Sequence, residues 1–331
     1  MPVSVEWFST LDAVAADAAG ALDRARQPVL YDRLDWFRLT VAHVLPRATL
    51  AILRVRERDS AAWLFLIETG PRTAAPLASW YTLRFAPVLA GPDAGAVMPV
   101  LLAALAKRFD AVALHPLAKP IDAAGWRTYS ARVSTNWTID LAAPDFDAYW
   151  SARPKQLRNT VARKSRSHPL DIKLLKHFDP LSWEAYEEIY AASWKPAEGS
   201  IPFLRGLAEQ EAEAGTLRLG LASDATGRAI AAQFWLVEDG IATIHKLAHR
   251  EDAKAGSPGS LLSHAMFRAA IDDDRVHRID FGLGDESYKA DWVDTPHPVW
   301  RTDAYRPASL HGLAGIARET ASRLARRRLL D

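Results

Sequence analysis

The 331-residue chain contains no cysteine. That absence excludes a disulfide framework, a thiolate-bound metal and a cysteine nucleophile together, and leaves the redox compartment open. Long apolar runs are lacking too: no stretch reaches the roughly 20 uninterrupted apolar residues needed to span a bilayer. The N-terminus has no basic leader, and Asp12, Asp17 and Asp23 interrupt the small apolar stretch Ala13 to Ala25, which reads as a surface helix. Nor does one charge sign dominate. The formal net charge is +1, so no global field calls for nucleic acid or a membrane. A cytoplasmic protein is expected. Walker A and GxSxG motifs are missing, and Gly282 and Gly284 in GLGDES lack the third glycine and following helix of a dinucleotide fingerprint. His245 and His249 are four apart on a predicted strand, which is not the helical zinc arrangement, so no metal is expected.

What is present is an ordinary globular composition, 49% hydrophobic and 24% charged, long enough for two domains. The halves echo each other. TLAILRVRERDSAAWLFLIE from Thr49 and TLRLGLASDATGRAIAAQFWLVE from Thr216 each read as strand, polar turn, strand. In both halves a third strand is expected to lead through a loop to an amphipathic helix, near Met98 in the first and from Pro258 in the second. The loop of the first half, FAPVLAGPDAGAVMP, lacks the polar entry of the second. Trp36, Trp80, Trp150 and Trp292 are expected as core or domain-interface anchors.

The informative stretch runs from Ile241 to Asp294. A strand to His249 is followed by the small-residue loop Asp252 to Ser257 and a helix opened by Ser257, Pro258 and Gly259. Serine suits an N-cap and proline a first turn. Unpaired N–H groups and the aligned peptide dipoles make that end a place for a pyrophosphate, with Gly256, Ser257, Gly259 and Ser260 around it. This order of elements suits an acyl-CoA site. Next come Asp280, Phe281 and Gly284 at a strand end and the pair Tyr288 and Lys289 in a polar turn.

Together SPGSLL, the D-F-x-x-G strand end and the Tyr-Lys pair resemble the signature of the BioF2-like, or CelD-like, branch of the GNAT acyltransferase superfamily, related to FemAB proteins. The resemblance implies an α/β (α+β) fold of two tandem GNAT-like domains, each a mixed, mostly antiparallel sheet flanked by helices. On the sequence these cover residues 1–140, a degenerate copy, and 141–309, the copy with the acyl-CoA site, followed by a basic helix over 310–331. It also implies a splayed strand whose backbone N–H groups face the thioester, here Ile241 to His249, with Leu247 and Ala248 the donors by position.

Direct transfer from a thioester to an amine needs a neutral nucleophile, oxyanion support and a proton for the thiolate. Tyr288 is the expected general acid. Asp285, Glu286 or His245 would take the amine proton. Lys289 would orient a CoA phosphate or a substrate carboxylate. Trp194 and Lys195, after a helix and before a proline-rich loop, would line the acceptor pocket. The acid-free run Ser151 to His168 carries six cations. It is either a solvated face or a phosphate-facing helix, in which Arg158 would bind substrate.

The expected reaction is acyl-CoA-dependent N-acylation, acetyl or longer, of a small molecule or of a sugar amine in envelope or polysaccharide synthesis. That acceptor class is implied by the resemblance alone. DNA is not an expected partner, and peripheral membrane association through the basic C-terminal helix stays open beside a solvated tail. Two further readings stay open: a FemAB-like transferase using aminoacyl-tRNA held by the basic run, and a catalytically silent scaffold.

Overall fold

The computed structural model describes residues 3–328, without the side chains of 326–328, so Arg326, Arg327 and Arg328 of the basic C-terminal run are described by their backbone alone and residues 329–331 lie outside the described residues. The described residues form two compact units, 3–134 with 298–328, and 135–297.

The first unit opens with strand β1 (Ser4–Phe8), helices α1 (Leu11–Ala18) and α2 (Leu34–His43), and the hairpin β2 (Thr49–Glu57) and β3 (Ser60–Gly70). The short strands β4 (Thr73–Pro76) and β5 (Val88–Ala90), helix α3 (Met98–Arg108), strand β6 (Ala111–Leu117) and the first part of β7 (Arg127–Asp140) complete its contiguous part. The N-terminal helix stops earlier than its composition suggested. Ala19 turns left-handed at φ 47° and Gly20 follows at φ 85°, which ends α1 at Ala18. The third strand expected before α3 is reduced to the three residues of β5, paired to Ala61–Trp63. Trp36 is buried as expected, whereas Trp80 is 60% exposed and anchors no core.

The second unit holds helices α4 (Phe146–Ser151) and α5 (Lys155–Ser167), strand β8 (Asp171–Leu175), and helices α6 (Pro180–Ala191) and α7 (Ile201–Glu213). Strands β9 (Leu217–Ser223), β10 (Ala229–Glu238) and β11 (Ile241–His249), helix α8 (Pro258–Arg268) and strand β12 (Arg278–Leu283) follow. The strand β13 (Thr295–Tyr305) returns to the first unit, where Trp300–Tyr305 pair with β6, and helix α9 (Leu310–Arg328) stays there, with Thr320 bonded to Tyr129. The boundaries therefore differ from those read in the sequence. Residues 298–309 belong to the first unit because β6 is their ladder partner, and the second unit begins at 135, inside β7. Among the described residues no helix is long and apolar enough to cross a membrane.

Within the second unit the sheet order is β7-β12-β11-β10-β9-β8, antiparallel except between β11 and β12. Period-two alternation separates its faces. Ala231, Trp235, Ala242, Ile244, Ile279 and Phe281 face the core shared with Leu261, Leu262, Met266 and Phe267 of α8. The other face receives α6, where Trp183 meets the Phe234 ring edge-on at 5.6 Å. Both helices on that side have explicit starts. Asp179 accepts from Ser182 N and Ser200 from Phe203 N, each with a proline in the first turn.

A splayed strand pair and the candidate acyltransfer site

The feature that makes a site is the divergence of β11 from β12. Their parallel pairing covers Ile241, Ala242 and Thr243, whereas β11 stays paired with β10 to His249. Between the Phe234–Lys246 and Trp235–Ile244 pairs, His245 is an extra residue, a bulge that bends β11 where it leaves its neighbour. Meanwhile β12 keeps to β7, with Leu283 opposite Asn136 and Gly284 N donating to Thr135 O at 2.9 Å. The result is a wedge open on the outer edge of β11. From Lys246 onward the register with β10 is unbroken, and Arg250 N bonds Ile230 O at 2.9 Å. Antiparallel amides alternate sides, so Leu247 and His249 direct theirs to the open edge. Leu247 thus presents its amide to the open edge, as expected of a backbone donor there. Ala248, expected beside it, is corrected: its amide turns to β10.

The α8 N-terminus follows this edge. Ser257 precedes Pro258 but sits at φ 55°, ψ 43°, and its hydroxyl makes no cap bond, so the serine cap read in the sequence is not formed. Pro258 has no N–H, and Ser260 N and Leu261 N turn back to Ser257 O at 3.1 and 3.2 Å, so among the described residues the Gly259 amide is the one in the first turn left for another acceptor. A Cβ on Gly259 would stand 3.1 Å from His249 Nδ1, and Trp194 packs on the same imidazole at 4.3 Å between ring centres. Trp194, expected on the acceptor side, therefore covers the end of β11 on the α8 side. From α5, Lys164 bonds the Ala255 carbonyl, and His168 lies against Gly256. Buried Gln233 fixes α8 to the sheet, donating to Gly259 O at 3.3 Å and Ser263 Oγ at 2.7 Å.

Residues 151–290 match the family described as Acetyltransferase (GNAT) domain. That segment, most of the second unit, is a GNAT domain. By that match the second unit is an acyltransferase domain. Two solved structures share its fold: a conserved protein of unknown function from Bacteroides thetaiotaomicron VPI-5482, at 13% identity and TM-score 0.56 over 92% of this chain and 100% of that one, and FemX, at 10% identity and TM-score 0.56 over 92% and 97%. Both likenesses are of fold. No curated protein matches the chain in sequence.

The GNAT wedge brings some of the expected residues together and withdraws others. Tyr288 lies on the turn after β12, its ring edge-on to Phe281 at 5.9 Å. Burial, and then Glu286, raise its phenol, so it keeps its proton. Glu286 is exposed next to it. Asp285 accepts from Thr135 Oγ1 at 2.5 Å, which ties it to β7. Gly284, at φ 137°, allows this turn, since a Cβ there would lie 2.0 Å from Glu286 Oε2. His245 is packed on Phe234 at 5.2 Å, and burial holds it down at about 3. A base that weak does not keep a proton taken from an amine, which corrects its expected role.

The unfolded chain takes up the His245 proton near its usual value of 6.5, the folded one only near 3. Its stabilising contribution is therefore complete above about pH 6.5 and is lost as pH falls toward 3. His245→Asn should remove up to about 1.4 kcal/mol per pH unit of this acid sensitivity. Urea midpoints of the two proteins between pH 6.5 and 4.5 test this, and parallel curves would refute it.

Lys289 is also corrected. Its side chain is 5% exposed, and Nζ donates to Leu283 O at 2.6 Å and Gly282 O at 3.4 Å and pairs with Glu286 at 3.3 Å. It braces the turn rather than reaching for a phosphate. Lys289→Ala leaves those carbonyls unsatisfied, at a cost of about 2 kcal/mol. A lowered Tm with unchanged CoA affinity is expected. Weakened CoA binding at full stability would restore a ligand role.

Arg158 donates Nε to Arg153 O, and Arg153 is itself buried in a fork on Asp294 at 2.6 and 2.9 Å. Of the basic run, Lys164 rather than Arg158 reaches the loop before α8. Sequence reasoning missed Gln233, Lys246 and Glu198. Lys246 pairs with Glu198 at 2.9 Å, and nothing local in either segment announces the other.

Proposed function

We propose that the second unit transfers an acyl group from acyl-CoA directly to an amine. The observation that carries this reading is the wedge between β11 and β12, with open backbone amides leading to an uncapped helix N-terminus. The pyrophosphate of CoA suits the first turn of α8, where Gly256 and Gly259 leave room, the Gly259 amide is open, the Ser257 and Ser260 hydroxyls stand beside it and the helix dipole favours anions, although the Ser257 and Ser260 amides are bonded to Lys254 O and Ser257 O. Pantetheine, itself an amide chain, matches the outer edge of β11 as an added strand does. The thioester carbonyl then faces the Leu247 amide, a donor fixed before charge develops on oxygen.

The acceptor enters from the α6 face. Its ammonium sheds a proton to solvent by way of the exposed Glu286 carboxylate, which passes it on to water, and the free amine attacks the carbonyl carbon. The C–N bond forms, the C–S bond breaks, and the Tyr288 phenol protonates the departing thiolate. The resemblance to BioF2-like and CelD-like proteins supports an acceptor in envelope or polysaccharide synthesis, and a CoA-dependent enzyme of this kind works where acyl-CoA is made, in the cytoplasm.

Calorimetry with CoA and acetyl-CoA tests the reading. Micromolar binding of both is expected. Absence of binding, with activity on aminoacyl-tRNA that falls steeply with salt, would install the FemAB-like reaction instead. Inertness towards both donors would leave a scaffold.

A further inference from the structure

On the α6 face a cavity of about 310 Å³ opens between α6, the segment 192–200 and α7. Its wall is apolar where it is deepest: Trp183, Tyr186 and Leu204 are almost wholly buried, and Ile201 closes the rim. Its acids are already engaged. Glu187 accepts from Trp183 Nε1 at 2.6 Å, and Glu198 takes Lys246 at 2.9 Å. Lys195 is different. Among the described residues no carboxylate lies within ion-pair distance of it, and Nζ rests 5.9 Å and 5.7 Å from the Tyr190 and Trp194 ring centres.

A sugar amine carries several hydroxyls that need partners on burial, and this lining has few to give. An apolar body costs nothing of that kind. A half-buried cation without a counter-charge favours an anion. The volume is at the low end of small-molecule sites, about 300–1,000 Å³, which suits one ring or one branched chain.

We propose that this cavity selects an apolar α-amino acid as acceptor, with its side chain between α6 and α7 and its carboxylate on Lys195. The inference rests on the acyl-transfer reading and replaces the sugar amine with an aromatic or branched amino acid. The α-amine is then one carbon from the anchored carboxylate, and Lys195 Nζ lies over Trp194, which packs on His249 at the open end of β11, and shares the Tyr190 ring with Lys246 of β11 at 5.9 and 5.7 Å, which sets the amine toward the wedge.

Protonation supports the assignment. Burial, then Lys246, holds Lys195 at about 8, opposed by Glu286 and Glu198, with Lys289 lowering it further and the Tyr190 phenol alongside. An ammonium pressed down by its surroundings gains from a bound carboxylate. Binding of such a ligand is therefore strong below about pH 8 and weakens as pH rises through it.

The test compares acetyl transfer from acetyl-CoA to L-phenylalanine, phenethylamine and glucosamine, read as released thiol, in the wild type, Lys195→Met and Ile201→Asp. L-Phenylalanine should exceed phenethylamine about tenfold in kcat/KM and glucosamine by more. Lys195→Met should abolish the first preference, and Ile201→Asp should weaken both aromatic acceptors. N-acetyl-L-phenylalanine, which has no amine to titrate, should bind the wild type more weakly at pH 9 than at pH 7. Preference for glucosamine, or an unchanged phenylalanine to phenethylamine ratio in Lys195→Met, overturns the inference. Acetyl-CoA binding is measured on the same samples. A protein that binds the donor but shows either of those outcomes sinks the acceptor assignment alone, while one that binds no donor sinks the acyl-transfer reading beneath it.

Discussion

Tyr288→Phe should lower kcat by about 100-fold, the lower end of what a positioned proton donor supplies. The phenol keeps its proton because burial and then Glu286 raise it, so at neutral pH it is ready to donate to a thiolate. Removing only the hydroxyl leaves the ring on Phe281, 5.9 Å between centres, and the turn around Lys289 intact. The Kd for acetyl-CoA should accordingly stay within about twofold. Burst and steady-state thiol release separate the cases. Equal turnover in the two proteins would remove Tyr288 from the chemistry, and a parallel loss of kcat and CoA affinity would make it part of donor binding.

Gly259→Glu should weaken CoA binding by about 100-fold. Anions gain up to about 2 kcal/mol at a helix N-terminus, near thirtyfold in affinity, and the repulsion between a carboxylate and a pyrophosphate adds to its loss. Space for the new side chain exists at small cost, because its Cβ would meet the movable His249 ring at 3.1 Å. The helix itself tolerates an acid in its first turn, where the dipole favours it. Calorimetry beside thermal unfolding distinguishes the outcomes: a folded variant that has lost CoA places the pyrophosphate at α8, whereas a folded variant that binds CoA as the wild type does moves the donor elsewhere.

The order of elements in the second unit was legible because each carries its own local cause. Ile241 to His249 alternates as a strand does, Pro258 opens a helix whose Leu261, Leu262 and Met266 share one face, and Gly284 stands where the turn needs φ 137°. Motif spacing then pointed to the end of α8 and to the outer half of β11, where the strand leaves β12. Less legible was the first unit, where β5 shrank to three residues and α1 stopped at Ala18, since short edge strands and left-handed helix ends depend on neighbours more than on pattern.

Sequence by itself determined the absence of thiol chemistry, the strand, helix and strand frame of the second unit, and the placement of Tyr288 beside Lys289. Only the tertiary structure decided what each charge does. Lys289 is consumed by the Gly282 and Leu283 carbonyls, Arg153 by Asp294, Glu198 by Lys246, and His245 is buried neutral, while Lys195, at the mouth of a cavity, meets no carboxylate among the described residues. The physical reason is range. Secondary structure follows from torsional preference and the periodicity of neighbouring residues, but the state of an ionisable group depends on desolvation and on charges within a few ångströms. Those charges arrive from segments far along the chain, as Asp294 does for Arg153 at a separation of 141 residues.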